Sequence, residues 1–198
     1  MVSQQRKSQP HNLADDQAIL DAAYEMLLAI GMRRLTMADI ARQAGVSRAT
    51  MYRRWPNVQA VVADLLTREF GALAAPLATV PPSSARSALV AGVVQVVGDV
   101  RTHPLLRKIV DVDPEVLLPY LVSRRGKTTD LQLALLEAYV QAGIADGSIR
   151  EGDVKLLART VLLSAWSFVF TGPLLVARRD IRALDAELAE LLERYLKP

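Results

Sequence analysis

The sequence predicts an all-α protein, with a small N-terminal head built around a helix-turn-helix and a larger C-terminal helical bundle. Three observations predict it. Ala and Leu fill 58 of the 198 positions and only ten residues are aromatic, a bias toward the best helix formers. Apolar residues recur at spacings of three and four along nearly the whole chain, and no run of alternating β-branched residues is long enough for a sheet. Between the two parts, residues 76–84 hold three prolines and two serines, a composition that ends helices. The expected domains are therefore residues 13–75 and 76–198.

Ile19, Ala22, Ala23, Met26, Leu27 and Ile30 draw one apolar stripe on the first helix. Asp15 and Asp16 sit at its start, where the helix dipole favours anions, and Gly31 follows its end. Thr36 then caps a short helix carrying Ile40, Ala41 and Ala44, with Asp39 as a shortened capping-box acid. Gly45 stands where the chain must turn sharply, a place that calls for positive φ. Val46 plugs the angle between two helices, Ala41 is small enough to let them cross closely, and Ser47 caps the second. Cap, helix, glycine turn, cap and helix is the order of a helix-turn-helix. Residues 58–75 read as the next helix, closed by Pro76. Body helices are expected at 85–101, 104–112, 114–122, 128–145, 153–172 and 181–196, with Gly126 breaking or bending a longer run from Pro114 onward.

Several function classes are excluded. The chain is 51% apolar and carries a net charge of +3, so it is neither a disordered tail nor a fibrous protein. It has no cysteine and two histidines, His11 and His103, which removes disulfides, thiol chemistry and a histidine metal cluster. The polar first ten residues are neither a signal nor a transit peptide. Residues 160–177 carry no charge, but Ser164, Ser167, Thr171 and Gly172-Pro173 favour a helix at a subunit interface over a membrane span. A Gly-rich phosphate loop, a Gly-x-Ser-x-Gly elbow and a His-Glu-x-x-His pair are all missing. Acid pairs such as Asp111/Asp113 and Asp15/Asp16 are read as helix-start residues. The expectation is a cytoplasmic protein that is not an enzyme and has no cofactor, no metal and no membrane partner.

Charge is concentrated. Residues 31–58 carry Arg33, Arg34, Arg42, Arg48, Arg53 and Arg54 against the single acid Asp39, whereas residues 76–198 carry 15 cations and 14 anions. A polyanion docking on that window is the natural inference. On the helix after Ser47, Met51 and Trp55 face inward, leaving Arg48, Ala49, Thr50, Tyr52, Arg53 and Arg54 for other faces. A helix lying in a DNA major groove needs short residues near its start and cations and hydroxyls at its edges. Arg48 suits guanine O6 and N7, Ala49 or Thr50 a thymine methyl, and Tyr52, Arg53 and Arg54 phosphates. A solvated basic face on a structural helix pair is the competing reading.

The run from Leu35 through Thr36-Met-Ala-Asp-Ile-Ala-Arg-Gln-Ala-Gly-Val-Ser-Arg-Ala-Thr-Met-Tyr-Arg-Arg-Trp55 to Pro56-Asn57 resembles the DNA-binding signature of the TetR family of one-component transcriptional regulators. The resemblance reaches back through the first helix and forward to about Phe70. It implies a three-helix DNA-binding head and a variable helical body that binds a small molecule and dimerises, and most members repress until that molecule releases them. The expected DNA-facing set is Thr36, Arg48, Ala49, Thr50, Tyr52, Arg53, Arg54 and Asn57. Family members often carry Lys after the residue that opens the fourth helix. Here Val58 follows Asn57, which leaves Asn57 to cap that helix and present its free N–H groups to a phosphate, with Arg6 and Lys7 of the tail as further cations. Transcriptional activation and non-specific architectural DNA binding remain alternatives to repression.

One head covers one half-site, so specificity generally calls for two heads at fixed spacing. The last two helices supply an apolar set for a homodimer: Leu156, Leu157, Thr160, Val161, Leu163, Ser164 and Ser167, then Leu184, Leu188, Leu191, Leu192 and Tyr195. The resemblance places a four-helix dimer interface on the same helices. An effector pocket is expected to be mostly apolar, with Val93, Val97, Ile109, Leu117, Tyr120, Leu135, Tyr139, Trp166 and Phe170 as candidates; core packing is the competing role for each. The scarcity of lone charges in the body leans toward a hydrophobic effector. The fourth helix, joining head to body, is the expected lever between effector and DNA.

Overall fold

Helix-forming composition and frequent caps give a chain whose regular structure, among the described residues, is entirely helical. The computed structural model describes residues 11–74, 84–117 and 126–198. Its helices are α1 (His11–Ile30), α2 (Met37–Gln43), α3 (Arg48–Arg54), α4 (Val58–Ala74), α5 (Ala85–Thr102), α6 (Pro104–Val112), α7 (Lys127–Ala145), α8 (Val154–Phe170), α9 (Gly172–Leu175) and α10 (Ile181–Leu196). In the head, α1 packs on α2 and α4, and α2 on α3. In the body, α7 lies on α8, and α5 is wrapped by α7, α8 and α10. One apolar core runs without interruption from Ile19 and Leu27 of α1, through Leu65 of α4, to Leu188 and Leu192 of α10.

Local chemistry explains most helix ends. Ser84 opens α5 with a reciprocal capping box: its Oγ accepts from Ser87 N–H at 3.2 Å and its N–H donates to Ser87 Oγ at 3.2 Å. His103 caps α6, its Nδ1 accepting from Leu105 N–H at 3.3 Å, with Pro104 at the first helical position. Of the expected helix at 114–122, Pro114–Val116 forms a single 3-10 turn, and residues 118–122 lie outside the described residues. Gly126, extended at φ −91°, starts α7 afresh and so breaks the run. The span 153–172 ends as α8 at Phe170. Pro173 has no N–H to continue it, and Gly172, where a Cβ would meet Leu184 at 2.9 Å, begins the short α9. No helix among the described residues is long and apolar enough to cross a membrane. The expected joint at 76–84 lies outside the described residues except for Ser84, as do Arg6, Lys7 and Tyr120.

α4 positions everything that follows. It packs on α1 of the head and on α5 and α7 of the body, so one helix is shared by the two.

Candidate nucleic-acid interface and its connection to the body

Seven residues are too few to hold a helix in water without help, so α2 and α3 depend on their ends. Thr36 Oγ1 accepts from Asp39 N–H at 3.2 Å and donates to the Asp39 carboxylate at 2.6 Å. That hydroxyl first, and then Arg42, hold the Asp39 carboxyl below the usual carboxylate range. α2 ends in a Schellman turn: Val46 N–H donates to the Ala41 carbonyl at 3.0 Å and Gly45 N–H to the Arg42 carbonyl at 3.3 Å. Gly45 takes φ +70°, which costs a residue with a Cβ roughly 1–2 kcal/mol. Ser47 then caps α3 through Thr50 N–H at 3.1 Å. Met51 is fully buried and Trp55 nearly so, which fixes the roll of α3.

That roll sorts the expected DNA-facing set. Arg48, Ala49, Tyr52 and Arg53 are exposed, and Thr50 is half-buried with its hydroxyl 2.9 Å from Ser47 Oγ. Arg54 departs from the expectation of a phosphate contact. Three residues past Met51, it lies on the inward face, and its guanidinium pairs with Asp16 of α1. Asn57 Oδ1 accepts from Ala60 N–H at 2.9 Å and so caps α4. Of the six cations in the basic window, Arg33, Arg42 and Arg54 are held by Glu115, Asp39 and Asp16. Arg34, Arg48 and Arg53 make no ion pair among the described residues and are exposed.

Polar contacts join head to body at several points, His103 Nε2 lying 3.5 Å from Glu69 Oε2, and two of the seams are unexpected. Asp113, read from sequence as a helix-start acid, is 1% exposed at the end of α6. Its Oδ2 accepts from Met32 N–H at 2.6 Å, and its Oδ1 lies 3.4 Å from Arg33 Nε. Gly31 makes the approach possible: at φ +78°, a Cβ there would meet Asp113 Oδ2 at 2.8 Å. The second seam joins α4 to the start of α7. Thr67 Oγ1 lies 2.8 Å from Thr128 Oγ1, and Lys127 Nζ is 3.1 Å from Asp64 Oδ1. The other Asp64 oxygen accepts from Trp55 Nε1 at 2.9 Å, so α7 reaches the end of α3 through one carboxylate.

Inside the body lies a cavity of about 160 Å³ between α4, α5, α7 and α8. Of the residues expected to form a pocket, Val93, Val97, Leu117, Leu135, Trp166 and Phe170 line it. Ile109 and Tyr139 do not; Ile109 is buried in the core and Tyr139 is half-buried against it. Sequence reasoning missed the contribution of α4, where Ala63, Leu66 and Phe70 form one wall, and the polar group Thr128, Thr129 and Gln132 on α7. The spacing of Thr128 and Gln132, which puts them one helical turn apart on the same face of α7, was the available signal.

The dimer candidates divide by face. Leu157, Val161, Leu188 and Leu192 are at most 2% exposed inside this chain and are corrected to core residues. Leu156, Leu163 and Leu191 stand out at 58%, 63% and 45% exposure. Thr160 and Ser164 are half-buried, Ser167 is exposed, and Leu184 and Tyr195 are half-buried. On α8 residues 156, 160, 163 and 167 fall on one stripe at helical spacing, with Leu156, Leu163 and Ser167 exposed.

A capped helix-turn-helix with an exposed basic face, carried on a helical body with an internal cavity, defines a DNA-binding regulator with a ligand-sized space. The model for bacterial regulatory proteins of the tetR family matches residues 19–65. An HTH-type transcriptional regulator of Mycobacterium bovis is 36% identical over 90% of this chain and 92% of its own length. The chain therefore belongs to the TetR family of transcriptional regulators; it is not an enzyme. Among solved structures, the transcriptional repressor QsdR of Rhodococcus erythropolis superposes with a TM-score of 0.69 at 20% identity, over 96% of this chain and 98% of that one. FadR of Bacillus subtilis, solved in complex with stearoyl-CoA, superposes with a TM-score of 0.66 at 21% identity, over 91% and 98%.

Proposed function

We propose that this protein is a cytoplasmic, homodimeric repressor that binds a near-palindromic operator and leaves it when a hydrophobic small molecule fills the body cavity. Two α3 helices enter successive major grooves. Arg48 reads a guanine edge, Ala49 and Thr50 approach neighbouring bases, and Tyr52 and Arg53 hold phosphates. The observation that carries this reading is the roll of α3. Met51 and Trp55 anchor one face while Arg48, Ala49, Tyr52 and Arg53 occupy the other. The exposed leucines of α8 and α10 support pairing of two copies through those helices. The cavity, with α4 as a shared wall, supports coupling of effector to DNA, and FadR in complex with stearoyl-CoA is a precedent for a ligand with a long apolar chain in this fold.

Selection of bound sequences from random duplex DNA at physiological salt tests the proposal. An enriched inverted repeat is the expected result. Absence of enrichment, with binding that vanishes as salt rises, would assign the protein to non-specific DNA binding instead.

A further inference from the structure

The lining of the cavity has a chemical polarity. Among the described residues, apart from Thr128, Thr129, Gln132 and Gly126, its walls are aliphatic or aromatic and no ionisable side chain borders it. A charged ligand would leave water without finding an opposite charge, which is costly. The three polar residues sit within one and a half turns at the start of α7, so the polar end of a ligand has one wall to meet. An apolar cavity of about 150 Å³ accommodates benzene, so this one, at about 160 Å³, has room for at least one ring.

Thr128 is also the hydroxyl through which α7 holds α4. Thr67 Oγ1 donates its proton to the Ala63 carbonyl at 2.9 Å. A hydroxyl has one proton to give, so in the 2.8 Å contact between the two threonines Thr128 is the donor. A ligand oxygen that accepts from Thr128 takes that proton away from Thr67. The adjacent Lys127–Asp64–Trp55 chain lies on the far side of the same junction, where Thr128 borders a second hollow shared with Arg54, Trp55, Asp64 and Lys127.

We propose that the cavity takes an uncharged, one-ring apolar molecule ending in a carbonyl-class hydrogen-bond acceptor seated on Thr128, and that capture of the Thr128 proton from Thr67 is the contact that loosens α4 from α7. This rests on the reading of the cavity as the effector site and of α3 as the DNA-binding helix. It adds the class of ligand and the pair of residues that sense it.

The test uses the full chain and four probes of one ring size: acetophenone, benzoate, benzylammonium and toluene. Calorimetric titration without DNA should rank acetophenone at least fivefold tighter than each of the others. Thr128→Val should bring acetophenone down to the toluene level, and Thr128→Ser, which restores the hydroxyl, should recover it. Benzoate or benzylammonium binding as tightly as acetophenone would overturn the ligand class, as would failure of every probe to bind folded protein. Indifference of acetophenone to Thr128→Val would overturn the seat.

A separate arm measures affinity for the selected duplex. Thr67→Val, which removes the contact in advance, should bind that duplex at least tenfold more weakly than the unaltered protein, and acetophenone should no longer change its affinity. An unaltered DNA affinity with full acetophenone response in Thr67→Val would overturn the sensing step. Because the calorimetry contains no DNA, loss of the repressor reading would leave the ligand ranking standing or falling by itself.

Discussion

Helix α3 has seven residues and the wall of the cavity draws on four long helices, and the two are held by different forces. α3 is kept helical by what stands at its ends, Ser47 and the Gly45 turn before it and Trp55 after it, with Met51 as the one fully buried anchor. The cavity wall keeps its shape because α4, α5, α7 and α8 are each packed elsewhere, and it exists where their side chains fail to meet. A truncation therefore removes far more from the first region than from the second. Met51→Ala should cost about 2–5 kcal/mol of stability, read by urea unfolding. The comparable truncation Leu135→Ala, at a side chain that already faces open space, should cost less. Equal costs would mean the cavity is filled and rigid.

The head–body seams sharpen the same contrast. At α6 the contact centres on the buried Asp113: Asp113→Ala leaves the Met32 N–H without its acceptor, a loss of about 1–3 kcal/mol, measurable as a lower melting temperature. A variant that melts with the unaltered protein would place that N–H in water.

Within α3, the inward and outward cations should separate. Arg53→Ala should weaken binding to every duplex and reduce the slope of log affinity against log salt by about one unit. Arg54→Ala should leave that slope nearly unchanged and lower the unfolding temperature, since its guanidinium is engaged with Asp16. Identical behaviour of the two would return Arg54 to the phosphate set.

The smallest effect belongs to the body. Asp146 Oδ2 accepts from Ala85 N–H at 2.9 Å, and Oδ1 accepts from Ser148 N–H at 2.9 Å. The Ser148 hydroxyl, then these backbone N–H groups, hold its carboxyl below the ordinary value of 3.8. A lowered folded-state value means that its contribution is complete above that ordinary value and fades as pH falls through the lowered one. Asp146→Asn should therefore melt earlier at pH 7, and the difference should shrink toward pH 3.

The head was largely legible because its grammar is local. Thr36, Gly45 and Ser47 act on backbone atoms within a few residues, so the sequence alone places the turn and both caps. Met51 and Trp55 gave the inward face, and the same spacing rule applied to Arg54 would have placed it inward too. What escaped was long-range. Asp113 meets Met32 across 81 positions and Thr67 meets Thr128 across 61, and no local pattern distinguishes these residues from ordinary helix-end acids and hydroxyls. The lining of the cavity was legible only in part, Ile109 being core and α4 unforeseen, because a leucine that lines a void and one that fills a core are spaced alike. The same ambiguity put Leu157, Val161, Leu188 and Leu192 on the dimer face, because burial within one chain and burial between two leave the same apolar signature.

The central claim is that α3 reads bases through Arg48 and holds the backbone through Arg53. It is tested most directly by measuring unaltered protein and Arg48→Ala on the selected duplex and on a scrambled duplex of equal length, at one fixed salt. Loss of a bidentate contact of about 1–3 kcal/mol should weaken Arg48→Ala on the selected duplex and leave the scrambled duplex much less affected, so that the gap between them narrows. An equal loss on both duplexes would contradict the claim and make Arg48 a phosphate contact.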